Sequence, residues 1–145
     1  MKYPGCIPDF TRQRNADLLQ AYRRHLHDAH YILMPDIFAR VAASPARRFW
    51  VSEERATVIV NTIIAGRPLP TMRDNKLEMF REIYRRFLAL RDIHPQKSVY
   101  SLVSEVVNQP APRFYLTPRS VGEIIYRIKK GWYDKRFDRY KKDNL

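Results

Sequence analysis

The sequence predicts an all-α protein built from a three-helix unit that occurs twice. Three observations carry that prediction. Residues 45–66, PARRFWVSEERATVIVNTIIAG, return 65 positions later as residues 110–131, PAPRFYLTPRSVGEIIYRIKKG, without a gap. Apolar residues elsewhere recur at helical rather than alternating spacing. Only 4 Gly but 10 Pro are present, the Pro gathered between periodic segments, which suits helices joined by stiff connections better than strands.

The first helix of each unit carries an apolar stripe: Leu18, Leu19, Tyr22 and Leu26 in one copy, Phe80, Ile83, Tyr84, Phe87 and Leu88 in the other. Here LLQAYRRHL aligns with FREIYRRFL at an offset of 62, so the second copy has gained three residues, expected in the loop around Pro95. A short second helix is expected over about 36–43 and again over about 98–108, from IFARVAAS and LVSEVVNQ. A Pro-Ala-x-Arg-Phe-aromatic connection follows, kept out of helix by its proline. The third helix begins at Ser52, with Glu53 and Glu54 behind it, and at Thr117, with Pro118 in the first helical position. It ends at Gly66 and at Gly131, residues suited to the left-handed turn that terminates a helix. The expected organisation is therefore a first unit at 10–66, a Pro-containing linker at 67–75, a second unit at 76–131 and a basic aromatic helix or tail at 132–145.

This pattern resembles the tandem tri-helical helix-turn-helix proteins that bind DNA, Myb-like repeats among them, over residues 14–131. The segment LTPRSVGEIIYRIKK is similar to recognition helices of bacterial regulators, in which a small hydroxyl residue caps a helix with an Ile or Leu core stripe and basic residues between. The resemblance implies two helix-turn-helix-like units and DNA as ligand. One departure stands out: about seven residues, 45–51 and 110–116, join the second helix to the third, against the 3 to 4 of the compact turn.

Charge points the same way. With 27 Lys and Arg against 15 Asp and Glu the chain carries +12, which favours polyanionic partners, nucleic acid first. Residues 67–145 hold 18 basic and 9 acidic residues, whereas residues 1–66 hold 9 and 6.

On the third helix of the second unit, Val121, Ile124, Ile125 and Ile128 share one face and are expected in the core. The opposite face collects Arg119, Glu123, Tyr126 and Lys130, with Gly122 and Arg127 on its flanks. Arginine can fork onto guanine or phosphate, a serine near the helix start can reach phosphate, and glycine permits close backbone approach. The expected nucleic-acid-binding set is Arg119, Ser120, Gly122, Tyr126, Arg127, Lys129 and Lys130, joined by Lys135 and Arg136 of the tail. A solvated helix face is the competing reading. The matching positions of the first unit, Glu54, Thr57, Val58, Asn61, Thr62 and Ala65, carry no cation, so that unit is assigned to packing or to self-association through its Val58 face. Tyr133, Phe137 and Tyr140 form an i, i+4, i+7 stripe that could dock the tail on the core; its cations would serve phosphates either way. Arg48 and Arg113 recur beside the aromatic pair of each connection, and that repetition favours a structural role in closing the turn.

No Walker loop, GxSxG, HExxH or dense carboxylate cluster appears, so no catalytic residue and no cofactor are expected. His25, His27 and His30 do not share one helical face, and Cys6 is the sole cysteine, so no metal site is expected either. Without a signal-peptide pattern or an apolar run near 18 residues, no membrane partner is expected, and a cytoplasmic, nucleoid-associated location is. The functional expectation is a non-enzymatic protein that binds double-stranded DNA as a transcription regulator or DNA-organising factor. Two alternatives stand beside it: an oligomeric assembly module such as a small phage DNA-packaging subunit, and RNA binding through the tail.

Overall fold

Three helix starts fall where capping chemistry puts them. In the structure, a computed structural model that describes residues 7–143, the helices are α1 (Ile7–Asp28), α2 (Met34–Ala43), α3 (Glu53–Ile64), α4 (Asp74–Ile93), α5 (Val99–Val107), α6 (Pro118–Lys129) and α7 (Trp132–Asp143). The protein is all-α, with no strand among the described residues. Ser52, Ser98 and Thr117 each accept, through the side-chain oxygen, the backbone N–H three residues on at 3.1 Å, satisfying a donor that the first turn would leave orphaned. Gly66 and Gly131 adopt φ of 69° and 70° just past α3 and α6, where a side chain would be strained. Among the described residues no helix is long and apolar enough to cross a membrane.

The helices do not group as the repeat suggests. One compact unit comprises the chain up to Ser44 together with everything from Leu116 onward; the other is the continuous segment Pro45–Tyr115. The first unit thus packs α1 and α2 against α6 and α7, and the second packs α3 against α4 and α5. Each third helix has left the two helices that precede it in sequence and completes the other copy's pair. The expected division into 10–66 and 76–131 is corrected accordingly. The physical reason lies in the long connections: seven extended residues span up to about 25 Å, enough to carry the chain away from its own helix pair, which a turn of three or four could not do.

Within the first unit, Leu18, Tyr22, Ile37 and Val41 meet Val121, Ile124 and Ile125, all buried, with α2 and α6 forming the broadest contact. Fully burying an aliphatic side chain of this size contributes about 1.5–3 kcal/mol, so three such residues hold α6 firmly by one face. Tyr133 docks α7 on the same core, with its hydroxyl 3.5 Å from Arg14 Nη2. The side chains of Phe137 and Tyr140, the rest of that stripe, lie outside the described set.

In the second unit, Phe49, Ile59, Val60, Ile83 and Phe87 are almost fully buried against Leu102, Val103, Val106 and Val107. Both connections run through it. Ala46 and Ala111, the same position in the two copies, exchange N–H to O bonds of 3.0 Å in an antiparallel bridge. Arg48 closes its connection by donating to the carbonyls of Phe49 (3.0 Å) and Val51 (2.8 Å), and it pairs with Glu53 at 3.3 Å. Arg113 reaches α4, where it donates to Asn75 and pairs with Glu78. Tyr115, the last residue of this unit, is the one non-glycine with positive φ among the described residues, at 58°. Its ring stacks on Phe49 at 6.1 Å between centroids, which holds the left-handed turn in place.

His25 on α1 is a weak point of the first unit. Its Nε2 is buried without a hydrogen-bond partner, and burial, with repulsion from Arg24 and Arg40 outweighing the pull of Asp28, holds its pKa below the usual 6.5. A histidine that binds its proton less readily when folded supports stability above the unfolded pKa and withdraws it as pH falls below 6.5. The thermal midpoint should therefore drop between pH 7.5 and 5.5, and His25→Gln should flatten that drop. An identical pH slope in the variant would show that His25 does not drive it.

Candidate nucleic-acid interface

The geometry of α6 follows from its ends and its buried stripe. Thr117 caps it, Pro118 presets its first turn, and the turn at Gly131 hands the chain to α7. With Val121, Ile124 and Ile125 fixed inward, Arg119, Glu123, Tyr126, Arg127 and Lys130 are left exposed. The Arg119 side chain is 90% accessible and pairs with Glu123 one turn on, at 3.2 Å. Tyr126 is 62% exposed, with the Lys130 ammonium 5.7 Å from its ring centre. Arg119 sits at the positive end of the helix, where a cation costs about 0.3–1 kcal/mol at an exposed site. Its counterpart Glu54 has the sign that this position favours.

Three residues of the expected set do other work. A Cβ on Gly122 would lie 2.8 Å from Cε2 of Phe38, so this glycine admits the ring of α2 rather than an external backbone. Ser120 is half-buried in the cap, its N–H bonded to Thr117 Oγ1 and its Oγ accepting from the Thr117 hydroxyl at 3.0 Å. Lys129 turns back toward α1, donating to the Tyr22 hydroxyl at 3.0 Å with its ammonium 4.9 Å from the ring centre. Those contacts draw Lys129 away from the outward face, and Gly122 leaves the site.

What the structure adds is Trp132. The guanidiniums of Arg127 from α6 and Arg136 from α7 lie 5.3 and 5.2 Å from its ring centre, and the indole is itself 39% exposed. The spacing of Trp132 and Arg136, i and i+4, was legible in sequence; the approach of Arg127 depends on the turn at Gly131 and was not. Lys135 is exposed on the same helix.

Some cations elsewhere are held by carboxylates. Arg85 and Arg86 both pair with Glu82, at 2.6 and 2.7 Å, and hold its carboxyl below the usual range, Arg85 foremost through its hydrogen bond. Lys97 pairs with Glu105 at 2.9 Å. Among the described residues, Arg127, Lys130, Lys135 and Arg136 form no ion pair.

The face of α3 that corresponds to the outer face of α6 differs in kind. Glu54 accepts from the Tyr100 hydroxyl at 3.3 Å, Val58 is 55% exposed, and the Thr57 and Thr62 hydroxyls bond back to the carbonyls of Glu53 and Val58. No protein-family model, curated protein or solved structure matches the chain.

Proposed function

We propose that this protein binds double-stranded DNA through the outer face of α6, extended by the first turns of α7, as a regulator or DNA-organising factor. The observation that carries the reading is the cluster of accessible, unpaired cations there: Arg127, Lys130, Lys135 and Arg136, with Arg119 at the helix start. A helix anchored by one apolar face and presenting Arg, Tyr and Lys on the other has the form required to enter a major groove, with arginines able to reach guanine edges and lysines the phosphates. Arg119 supports the same reading, since its charge is unfavourable for the helix that carries it.

Counterion release makes such binding fall linearly on a log–log plot against salt, by about 0.9 per phosphate neutralised on duplex DNA. The test is a salt-titrated binding assay on duplex DNA, single-stranded DNA and RNA, with the wild type beside a triple variant carrying Arg119→Glu, Arg127→Glu and Lys130→Glu. The expected result is tightest binding to duplex, lost in the variant while its thermal midpoint stays near wild type. Unchanged affinity in the variant would remove α6 from the interface, and a preference for single strands would move the reading to RNA or single-stranded DNA.

A further inference from the structure

We infer that Trp132 is a platform that organises Arg127 and Arg136 into a clamp for one phosphate group, at the corner where α6 gives way to α7. The inference rests on the duplex-binding reading above for its ligand, a backbone phosphate of the DNA, but on separate geometry. Both guanidiniums lie little more than 5 Å from one indole centre. A guanidinium held by its face against an aromatic ring keeps its N–H edge free, and that edge matches the paired oxygens of a phosphate. The two cations come from different helices and share one ring, so their like charges are brought within reach of each other. Among the described residues neither has a carboxylate partner to offset that repulsion, in contrast to Arg48, Arg85, Arg86, Arg113 and Arg119. The anionic oxygens of a phosphate group are the species that would relieve it. Trp132 is thus a positioning residue: it restricts two long side chains before the ligand arrives, and its own partly exposed ring need not touch the DNA.

The test uses the full chain. Trp132→Leu is expected to weaken duplex binding about tenfold at fixed salt and to make the log–log salt slope shallower by about one, the signature of one lost phosphate contact. Trp132→Tyr, which keeps an aromatic face, should restore most of the affinity, and both variants should melt close to wild type. A merely structural role for Trp132 would lower the melting temperature without changing the salt slope. Trp50 is the only other tryptophan, so in a Trp50→Phe background the emission of Trp132 reports on the clamp directly. Sodium tripolyphosphate should shift that emission, and Arg127→Ala with Arg136→Ala should abolish the shift. If Trp132→Leu binds duplex with wild-type affinity and slope while the α6 triple variant does not bind, the clamp is wrong and the duplex reading stands. If the chain ignores duplex but tripolyphosphate still shifts Trp132 through the two arginines, the clamp stands and the duplex reading falls. No shift with tripolyphosphate and no effect of Trp132→Leu would overturn the clamp outright.

Discussion

Residues 45–115, expressed alone, should fold cooperatively, whereas neither sequence repeat should. The segment contains α3, α4 and α5, both connections, and the apolar residues that those helices bury against one another. Its length is within the range in which single small domains fold unaided. A fragment of residues 1–66, by contrast, holds α1 and α2 without α6, and an α3 whose partners are on the other fragment. Circular dichroism of residues 1–66 and 67–145 should show little cooperative melting in either one. Mixed in equal amounts they should regain a helical spectrum and a sharp transition, because each compact unit draws helices from both. A sharp, monomeric melting transition for residues 1–66 alone would refute this grouping of helices.

Phe49→Ala should be the most damaging single substitution in that segment. The side chain is fully buried, stacks on Tyr115, and lies beneath the Arg86 guanidinium at 4.9 Å, while its backbone N–H donates to the Val107 carbonyl at 3.0 Å. Truncating a buried Phe to Ala costs about 3–5 kcal/mol through lost transfer energy and the cavity left behind. Against a typical domain stability of about 5–15 kcal/mol, this should leave the excised segment largely unfolded. Urea unfolding of the full chain would measure the effect, with Val58→Ala as control. Val58 is exposed on α3 and should stay within about 0.5 kcal/mol of wild type. A loss below about 1 kcal/mol for Phe49→Ala would mean that the ring is not the packing centre described.

Local structure was legible in the sequence because it obeys local rules. Ser52 and Thr117 announced the starts of α3 and α6, Gly66 and Gly131 their ends, and the 100° spacing of Val121, Ile124 and Ile125 the buried side of α6, whereas Ile128 of the same stripe is only half-buried. The exposed face of α6 followed from the same spacing. What could not be read was which helices share a core, since periodicity says that a face is buried but not against whom. The one hint was the overlong connection, a departure from the compact turn that marks the very place where the chain leaves its own helix pair. Gly122 failed for a related reason. Close approach is what a glycine in a helix signals, but the sequence does not say whether the approaching group is a ligand or, as here, Phe38. Ser120 and Lys129 were absorbed by the cap and by Tyr22, partners that only the assembled fold brings near.

The insertion of residues 45–115 within the sequence of the other unit also sets an order of events during synthesis. Domains generally complete themselves from the N-terminus as the ribosome delivers them. Here the unit finished first is the segment ending at residue 115, while the apolar faces of α1 and α2 wait until α6 has been made. These two helices are made before the whole of the inserted segment yet find their partner after it, so the nascent chain carries an open apolar surface while residues 45–115 are synthesised. A chaperone that holds such surfaces would be of most use to this half of the molecule.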